Sequence, residues 1–309
     1  MIHRAAFFLI YLTAVVRFNT GWAQGCSDAG FCSFGSLKHQ VTDSVSGSKL
    51  QVALPFGIGD EEVRNFTPGL QYDHQFSERW GIQTKVTWNY ASGNLASVSG
   101  PGDLYIAGIY TSPTSGSWKV TGMIASKIPL DQSSLEKDGL GLPMVYQSSL
   151  GTVDIISGIS FMNRRWIISL GWQQPLSGEN ANEFLPVDWD MPEAVAYPPS
   201  NDFNRKGDAL LRFTYSRQLG TAIFLQGGLL SIYHLADDTY KDPTFSNQPI
   251  SIRGSKGLTM NITASAWVNV GRKLKAGITA GVPFLVRDIR PDGLTRHFVV
   301  SPELQWKLN

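Results

Sequence analysis

Of the side chains of the kinds that acid–base chemistry uses, His234, His297 and Asp288 fall at the ends of expected strands or on an adjoining loop, at one rim. A hydrolase would need a hydroxyl or thiol nucleophile within reach of one of those rings. No serine stands in a recognisable nucleophile context, and a His-x-Ser-Asn-Gly segment of the phospholipase type is absent. A lipid-modifying enzyme is therefore an alternative with candidate bases and no nucleophile. The only two cysteines, Cys26 and Cys32, stand in Gly-Cys-Ser-Asp-Ala-Gly-Phe-Cys. In an exported chain such a pair closes a small disulfide loop. The other reading, lipidation, would need Cys26 to become the first residue after Ala23-Gln24-Gly25, where Gln24 fits poorly. With His39 as the sole further ligand nearby, the pair falls short of a zinc pattern, so neither metal nor cofactor is expected.

A larger set of polar residues is organised by period. Ile82, Thr84, Val86, Trp88 and Tyr90 alternate with Gln83, Lys85, Thr87 and Asn89. Further on, Leu258, Met260, Ile262, Ala264, Ala266 and Val268 alternate with Thr259, Asn261, Thr263, Ser265 and Asn269, with Trp267 on the polar side. Near the end, Phe298, Val300, Leu304 and Trp306 oppose Ser301, Glu303, Gln305 and Lys307. Period two means a strand with one apolar and one polar face. Along the chain the polar face collects Lys49, Gln51, Gln71, Asp73, Gln83, Lys85, Asn89, Asp103, Lys119, Asp154, Arg212, Asn261, Lys275 and Glu303. Charges of both signs argue against a strongly ion-selective path.

The elements that must position these residues are twelve strand-like segments: 49 to 58, 66 to 76, 80 to 91, 103 to 112, 117 to 129, 150 to 161, 165 to 175, 207 to 218, 221 to 234, 257 to 269, 273 to 285 and 297 to 307. Every second connection is tight: Ser77-Glu78-Arg79, Pro113 to Gly116, Met162-Asn163-Arg164, Leu219-Gly220 and Val270-Gly271-Arg272. Between them lie 59 to 65, 92 to 102, 130 to 149, 176 to 206, 235 to 256 and 286 to 296, several too long for ordinary hairpins. Tight turns at one end and long loops at the other predict an all-β fold, a twelve-stranded antiparallel transmembrane β-barrel. Its polar face is then the lumen, lined by the residues above, and its apolar face meets outer-membrane lipids.

The start of the chain agrees. His3 and Arg4 precede an apolar run from Ala5 to Val16, and Gly21-Trp22-Ala23 offers cleavage before Gln24, the pattern of a secretory signal peptide. The run is too short for a spanning helix of ~20 residues. The expected organisation is a signal peptide over 1–23, an N-terminal periplasmic or plug segment over 24–48 and a barrel over 49–309, in the bacterial outer membrane.

Aromatic residues fall at two levels. With a periplasmic N-terminus, Phe76, Trp80, Tyr110, Trp118, Phe161, Trp166 and Trp306 form one ring and Phe56, Trp88, Tyr90, Tyr233, Phe284 and Phe298 the other, as at the two edges of a hydrocarbon slab. His74 reads as an interface residue. Alternation alone leaves open a secreted β-sandwich with an adhesive role. A formal charge of +1 with 17% charged residues provides no basic field for nucleic acid. The partners expected are membrane lipid and a small-molecule solute.

Two stretches carry a family resemblance. Ser99-Gly100-Pro101-Gly102-Asp103-Leu104 with Gly108 and Tyr110, and Leu142-Pro143 followed by Gly151-Thr152-Val153-Asp154 and Gly158, resemble segments of the outer-membrane transporters of the phenol meta-pathway family. The resemblance implies a barrel that helps hydrophobic or aromatic small molecules across the outer membrane. The chain departs from the usual aromatic C-terminal residue of such proteins, ending Trp306-Lys307-Leu308-Asn309.

The expectation for function is a channel or transporter for small, largely uncharged or hydrophobic molecules. About eight strands leave no open bore and about sixteen leave a clear one, so at twelve the path depends on what enters it. The candidates are the 24–48 segment and the loop 176 to 206, which carries Phe184, Trp189, Tyr197 and Phe203 among acidic residues and reads equally as a lid or as a solvated acidic loop.

Overall fold

The computed structural model describes residues 47–113, 117–220, 222–294 and 296–308. The signal peptide, both cysteines and all of the 24–48 segment but its last two residues lie outside the described residues, as does part of the connection from Pro113 to Gly116. Alternation of β-branched and aromatic residues with small polar ones favours the pleated surface, and twelve barrel strands result. β1 runs Gly47–Ala53 and resumes as Phe56–Ile58; β2 is Arg64–Phe66 resumed as Gly69–Gln75. The others are β3 (Trp80–Ser92), β4 (Ser97–Thr111), β5 (Lys119–Pro129), β6 (Asp154–Met162), β7 (Trp166–Pro175), β8 (Asp208–Leu219), β9 (Ile223–His234), β10 (Gly257–Val270), β11 (Leu274–Leu285) and β12 (Phe298–Lys307). Each pairs antiparallel with the next, and β12 pairs back onto β1 from Lys49↔Lys307 to Ala53↔Glu303. Closure removes the unpaired edges that an open sheet would expose.

The outward face is apolar. Ile124 is 67% exposed, Ile262 54% and Ile278 49%, values no soluble core residue shows. Exposed rings lie at both edges of this belt: Trp80 stacks on Tyr110 with centroids 4.8 Å apart and Trp166 on Tyr215 at 4.7 Å at the tight-turn end, while Phe56 meets Phe298 at 6.4 Å at the other. His74 sits at the tight-turn level between Tyr72 and Phe76, its Nδ1 2.8 Å from the Ser48 hydroxyl.

Two expectations need correction. The connection expected over 92 to 102 is only 93–96, because β4 begins at Ser97. The Gly- and Pro-rich run Ser99 to Gly102 reads as a loop since both residue types weaken strands, yet the ladder absorbs it in a bulge opposite Val86 and Trp88. There the Thr87 hydroxyl accepts from the Asp103 amide at 2.9 Å, and Gly102 is required because a Cβ would stand 2.3 Å from that hydroxyl. The expected β1 and β2 are each interrupted, at Leu54–Pro55 and Thr67–Pro68. Proline cannot donate to a ladder, but its carbonyl still accepts: Thr67 N bonds Pro55 O at 2.9 Å and Trp88 N bonds Pro68 O at 3.0 Å.

The long connections at the far end pack on one another. One apolar cluster joins Val63, Ala91 and Leu95 to Leu142, Val145, Tyr146, Phe184, Ala194 and Tyr197; a second joins Met144, Leu150, Phe203 and Ile252. The short 3-10 turn Met144–Tyr146 belongs to both. Gly293 lies so close to its backbone that a Cβ would be 2.4 Å from the Val145 nitrogen. Loop 176–207 is accordingly a packed lid rather than a solvated loop: Phe184, Phe203 and Ser200 are fully buried, while acidic side chains at its surface include Glu179, paired with Lys241 at 2.5 Å.

Candidate functional site

Strand pairing and burial place the polar set on the face opposite the exposed apolar belt. Gln51, Gln71, Gln83, Asp103, Asp154, Arg212, Asn261 and Glu303 are buried; Lys49, Asp73, Lys85, Asn89, Lys119 and Lys275 are half-buried. The fold brings several of them together. On the β12–β1–β2–β3 wall, Gln51 donates to Glu303 at 2.7 Å, and Gln71 and Gln83 both donate to Asp73, at 2.9 and 2.6 Å. Lys85 extends to within 5.7 Å of the Tyr105 ring centroid, a cation–π distance. Asn89 instead donates to the Ser148 carbonyl of the lid, as Asn65 does to Val145 at 3.3 Å. Lys119, Arg212, Asn261 and Lys275 lie on β5, β8, β10 and β11.

Asp103 and Asp154 belong to a second constellation organised by Lys127. Lys127 Nζ lies 3.1 Å from Asp154 Oδ2, both side chains fully buried. Thr152 donates to Asp154 Oδ1 at 2.6 Å and Gln173 donates to Oδ2; Ser149 donates to Asp103 at 2.6 Å. Asp103 stands beside this pair on β4, where Ser149 and the Tyr105 hydroxyl donate to it and the ammonium attracts it through space. Lys127 escaped the sequence reading because Met123 and Ala125 immediately precede it on the same face of β5 and break the polar pattern begun by Lys119 and Thr121.

That apolar character continues in a patch shared by several strands. Tyr105 and Ala107 of β4, Met123 and Ala125 of β5, Ile156 of β6, Leu210 of β8 and Leu230 of β9 form one cluster, joined by Ile109 and Ile232. They alternate along their strands with exposed lipid-facing residues such as Ile106, Ile124, Ile155, Leu211 and Leu229. The interior therefore holds an apolar patch beside its polar residues, since the same strands also bury Asp103, Lys127, Asp154, Ser160 and Arg212. Where apolar residues fall on both faces of a strand the period-two contrast is lost, which hid this patch from the sequence.

At the lid end stands an ionic cluster that sequence reasoning also missed. Arg205 bonds Asp208 and, at 3.3 Å, Asp292. Arg287 bonds Asp292 at 2.6 Å and lies 3.9 Å from Asp238. His234 joins the acids, with Nδ1 2.8 Å from Asp208 and Nε2 2.8 Å from Asp238. All six side chains are nearly inaccessible. Burial works against the Asp292 carboxylate, but Arg287 and Arg205 outweigh it and hold its pKa well below the ordinary range. Burial likewise opposes the Arg205 charge, and Asp208 and Asp292 outweigh it. In the lid, burial and the Tyr146 hydroxyl beside it push the Tyr197 phenol far above its ordinary value. Only the strand-end register Asp208↔His234 leaves a trace in the sequence; the other members sit on loops without periodicity.

The histidines offer no catalytic constellation. Both nitrogens of His234 face carboxylates, leaving no base for a hydroxyl, and Asp288 is solvent-exposed away from them. Among the described residues no group of His, Cys, Asp and Glu could hold a metal ion.

A closed twelve-stranded antiparallel barrel with a lipid-facing apolar belt, two aromatic girdles and a polar interior wall is a transmembrane barrel of the outer-membrane type, and its place is the bacterial outer membrane. No protein-family model matches the sequence, and no curated protein matches it. Among solved structures, the chain is similar to the COG4313 outer membrane channel from Pseudomonas putida F1, at 11% identity and a TM-score of 0.61, over 86% of this chain and 97% of that one. Looser likenesses include the KdgM porin in complex with disordered oligogalacturonate (7% identity, TM-score 0.47, 84% and 99% covered) and the CymD monoaromatic hydrocarbon channel (8%, 0.44, 94% and 95%). The first aligns the whole barrel; at scores below 0.5 the other two add nothing to the fold assignment.

Proposed function

We propose that this barrel is a channel for small, largely uncharged or hydrophobic molecules, with the 24–48 segment as a partial plug of its lumen. The observation that carries the reading is the apolar patch inside the barrel. A barrel sealed for structural purposes needs only that its buried polar groups be paired; an apolar patch contributed by Tyr105, Met123, Ile156, Leu210 and Leu230 in an interior that also holds amides and mixed charges suits a solute with an apolar body and few polar groups. The like-folded Pseudomonas channel and the resemblance of 99 to 110 and 142 to 158 to the phenol meta-pathway transporters support the same reading. The plug is motivated by geometry: β1 starts at Gly47 at the tight-turn mouth, and the residues from Gln24 onward could extend ~3.3 Å each, enough to cross the bore. A loop closed by Cys26 and Cys32 would stiffen it.

The test is entry of small neutral solutes into liposomes containing either the mature protein or a version lacking Gln24 to Ser46. Faster entry through the shortened protein is expected. Equal rates would refute the plug, and no entry through either would refute the channel.

A further inference from the structure

The lid is held to the barrel by the buried ionic cluster, and the cluster's charges balance in only one protonation state. Its carboxylates are Asp208 at the start of β8, Asp238 on the loop after β9, and Asp292 on the loop after β11. Its permanent cations are Arg205, on the lid loop, and Arg287, on the loop after β11. Three negative charges against two positive ones leave a deficit of one, and His234 stands between two of the acids. A carboxylate oxygen only accepts, so both ring nitrogens must donate. The ring is an imidazolium, and the cluster is neutral.

We propose that His234 is a proton-operated latch on the lid. Loss of its proton turns one ring nitrogen's lone pair toward a carboxylate 2.8 Å away and leaves a net negative charge in a buried site, a strongly unfavourable state. Relief comes from separating the loops. Arg287 also donates to Ser255 O at 2.8 Å, Ser255 donates to Ile252 O, and Asp238 accepts from the Lys206 amide at 2.8 Å, so the cluster binds the three loops that follow β7, β9 and β11. Asp292 leads into Gly293, seated against Met144 and Val145, which ties the cluster to the turn shared by both lid clusters. The other charged neighbours have partners of their own or are exposed: the Lys206 ammonium bonds Asn204 at 2.8 Å, Arg296 donates to the Gly293 carbonyl at 2.8 Å, Asp154 is paired with Lys127, and Lys256 is exposed. Asp292 and Arg205 keep their charges, so His234 is the member that changes state near neutral pH.

The inference rests on the channel reading for its purpose, and its test does not require transport. Ser200 is fully buried within the packed lid, its hydroxyl donating to Asn182 at 2.7 Å, so a thiol there reports opening. We would make Ser200→Cys with Cys26→Ser and Cys32→Ser, reconstitute it, and measure maleimide labelling, corrected for thiolate fraction with an exposed Val187→Cys control, between about pH 6 and pH 9. Labelling should rise with pH, by up to about tenfold per unit where the linked proton is lost. His234→Gln, which cannot supply the charge, should label rapidly at every pH. Asp208→Asn should do the opposite: its amide donates to Nδ1 of a neutral ring while its oxygen still accepts from Arg205, so the balance is restored and labelling stays slow throughout. Heat-modifiable migration on gels would establish that each barrel is folded. Corrected labelling that is flat with pH in the parent, a surviving pH response in His234→Gln, or opening of folded Asp208→Asn at high pH would overturn the latch. Solute entry measured on the same vesicles bears separately on the channel.

Discussion

Removing Lys127 and removing Asp154 should have unequal costs, although the two form a single buried ion pair. Lys127→Met deletes the cation that pairs with Asp154 and attracts Asp103 through space. Both carboxylates then remain buried with only neutral donors, Thr152 and Gln173 on one and Ser149 and Tyr105 on the other. Breaking a buried pair in this way costs about 3 to 5 kcal/mol. Asp154→Asn leaves Lys127 with Asp103 as the nearer remaining acid, and the new amide can keep its oxygen toward Lys127 and Gln173 while its NH2 donates to the Thr152 hydroxyl. Its main loss is one charge-assisted hydrogen bond, about 1 to 3 kcal/mol. The double variant should be less destabilised than the sum of the two, since the partners touch. The assay is reversible urea unfolding in detergent, followed by tryptophan fluorescence and by heat-modifiable gel mobility. If Asp154→Asn proved as costly as Lys127→Met, the idea that one ammonium acts on two acids would be wrong.

Three further outcomes follow from the same geometry. Ile262→Arg should cost about 2 to 4 kcal/mol because Ile262 faces lipid, whereas Ser265→Arg, on the inward and half-buried face, should cost much less in the same unfolding assay; Asn261 is too tightly buried to serve as the control. Cysteines at Val187, 81% exposed on the lid loop, and at Arg164, exposed in a tight turn, should differ on intact cells, with only the first labelled by an impermeant maleimide; the reverse pattern would invert the topology. Asp292, whose pKa is depressed in the fold, contributes stability that is fully present above its unfolded value of ~3.9 and is lost as pH falls through its lower folded value. On the acid side, hydrogen exchange in the lid should therefore accelerate below about pH 4, and Asp292→Asn should remove that acid limb while loosening the lid at neutral pH.

What the sequence determined by itself is what period two and turn chemistry encode. Twelve strands, their approximate limits, the lipid-facing residues and two aromatic levels follow from local alternation, because a strand's side chains take opposite faces whatever surrounds it. The polar positions of β1, β2, β3, β10 and β12 were legible for the same reason. Where the local rule weakened, so did the reading: the Gly- and Pro-rich start of β4 looked like a loop, and only the Thr87 hydroxyl bridging the bulge explains how it remains in the ladder. Tertiary structure alone decided the rest. Lys127 meets Asp154, with Asp103 beside the pair, because β4, β5 and β6 are adjacent, and Arg205, Asp208, His234, Asp238, Arg287 and Asp292 converge because barrel closure brings the loops after β7, β9 and β11 over one mouth. Their spacing in the chain carries no periodic signal. Burial without water makes each of these charges dependent on a partner, and such partners come from distant segments that only the closed barrel brings together.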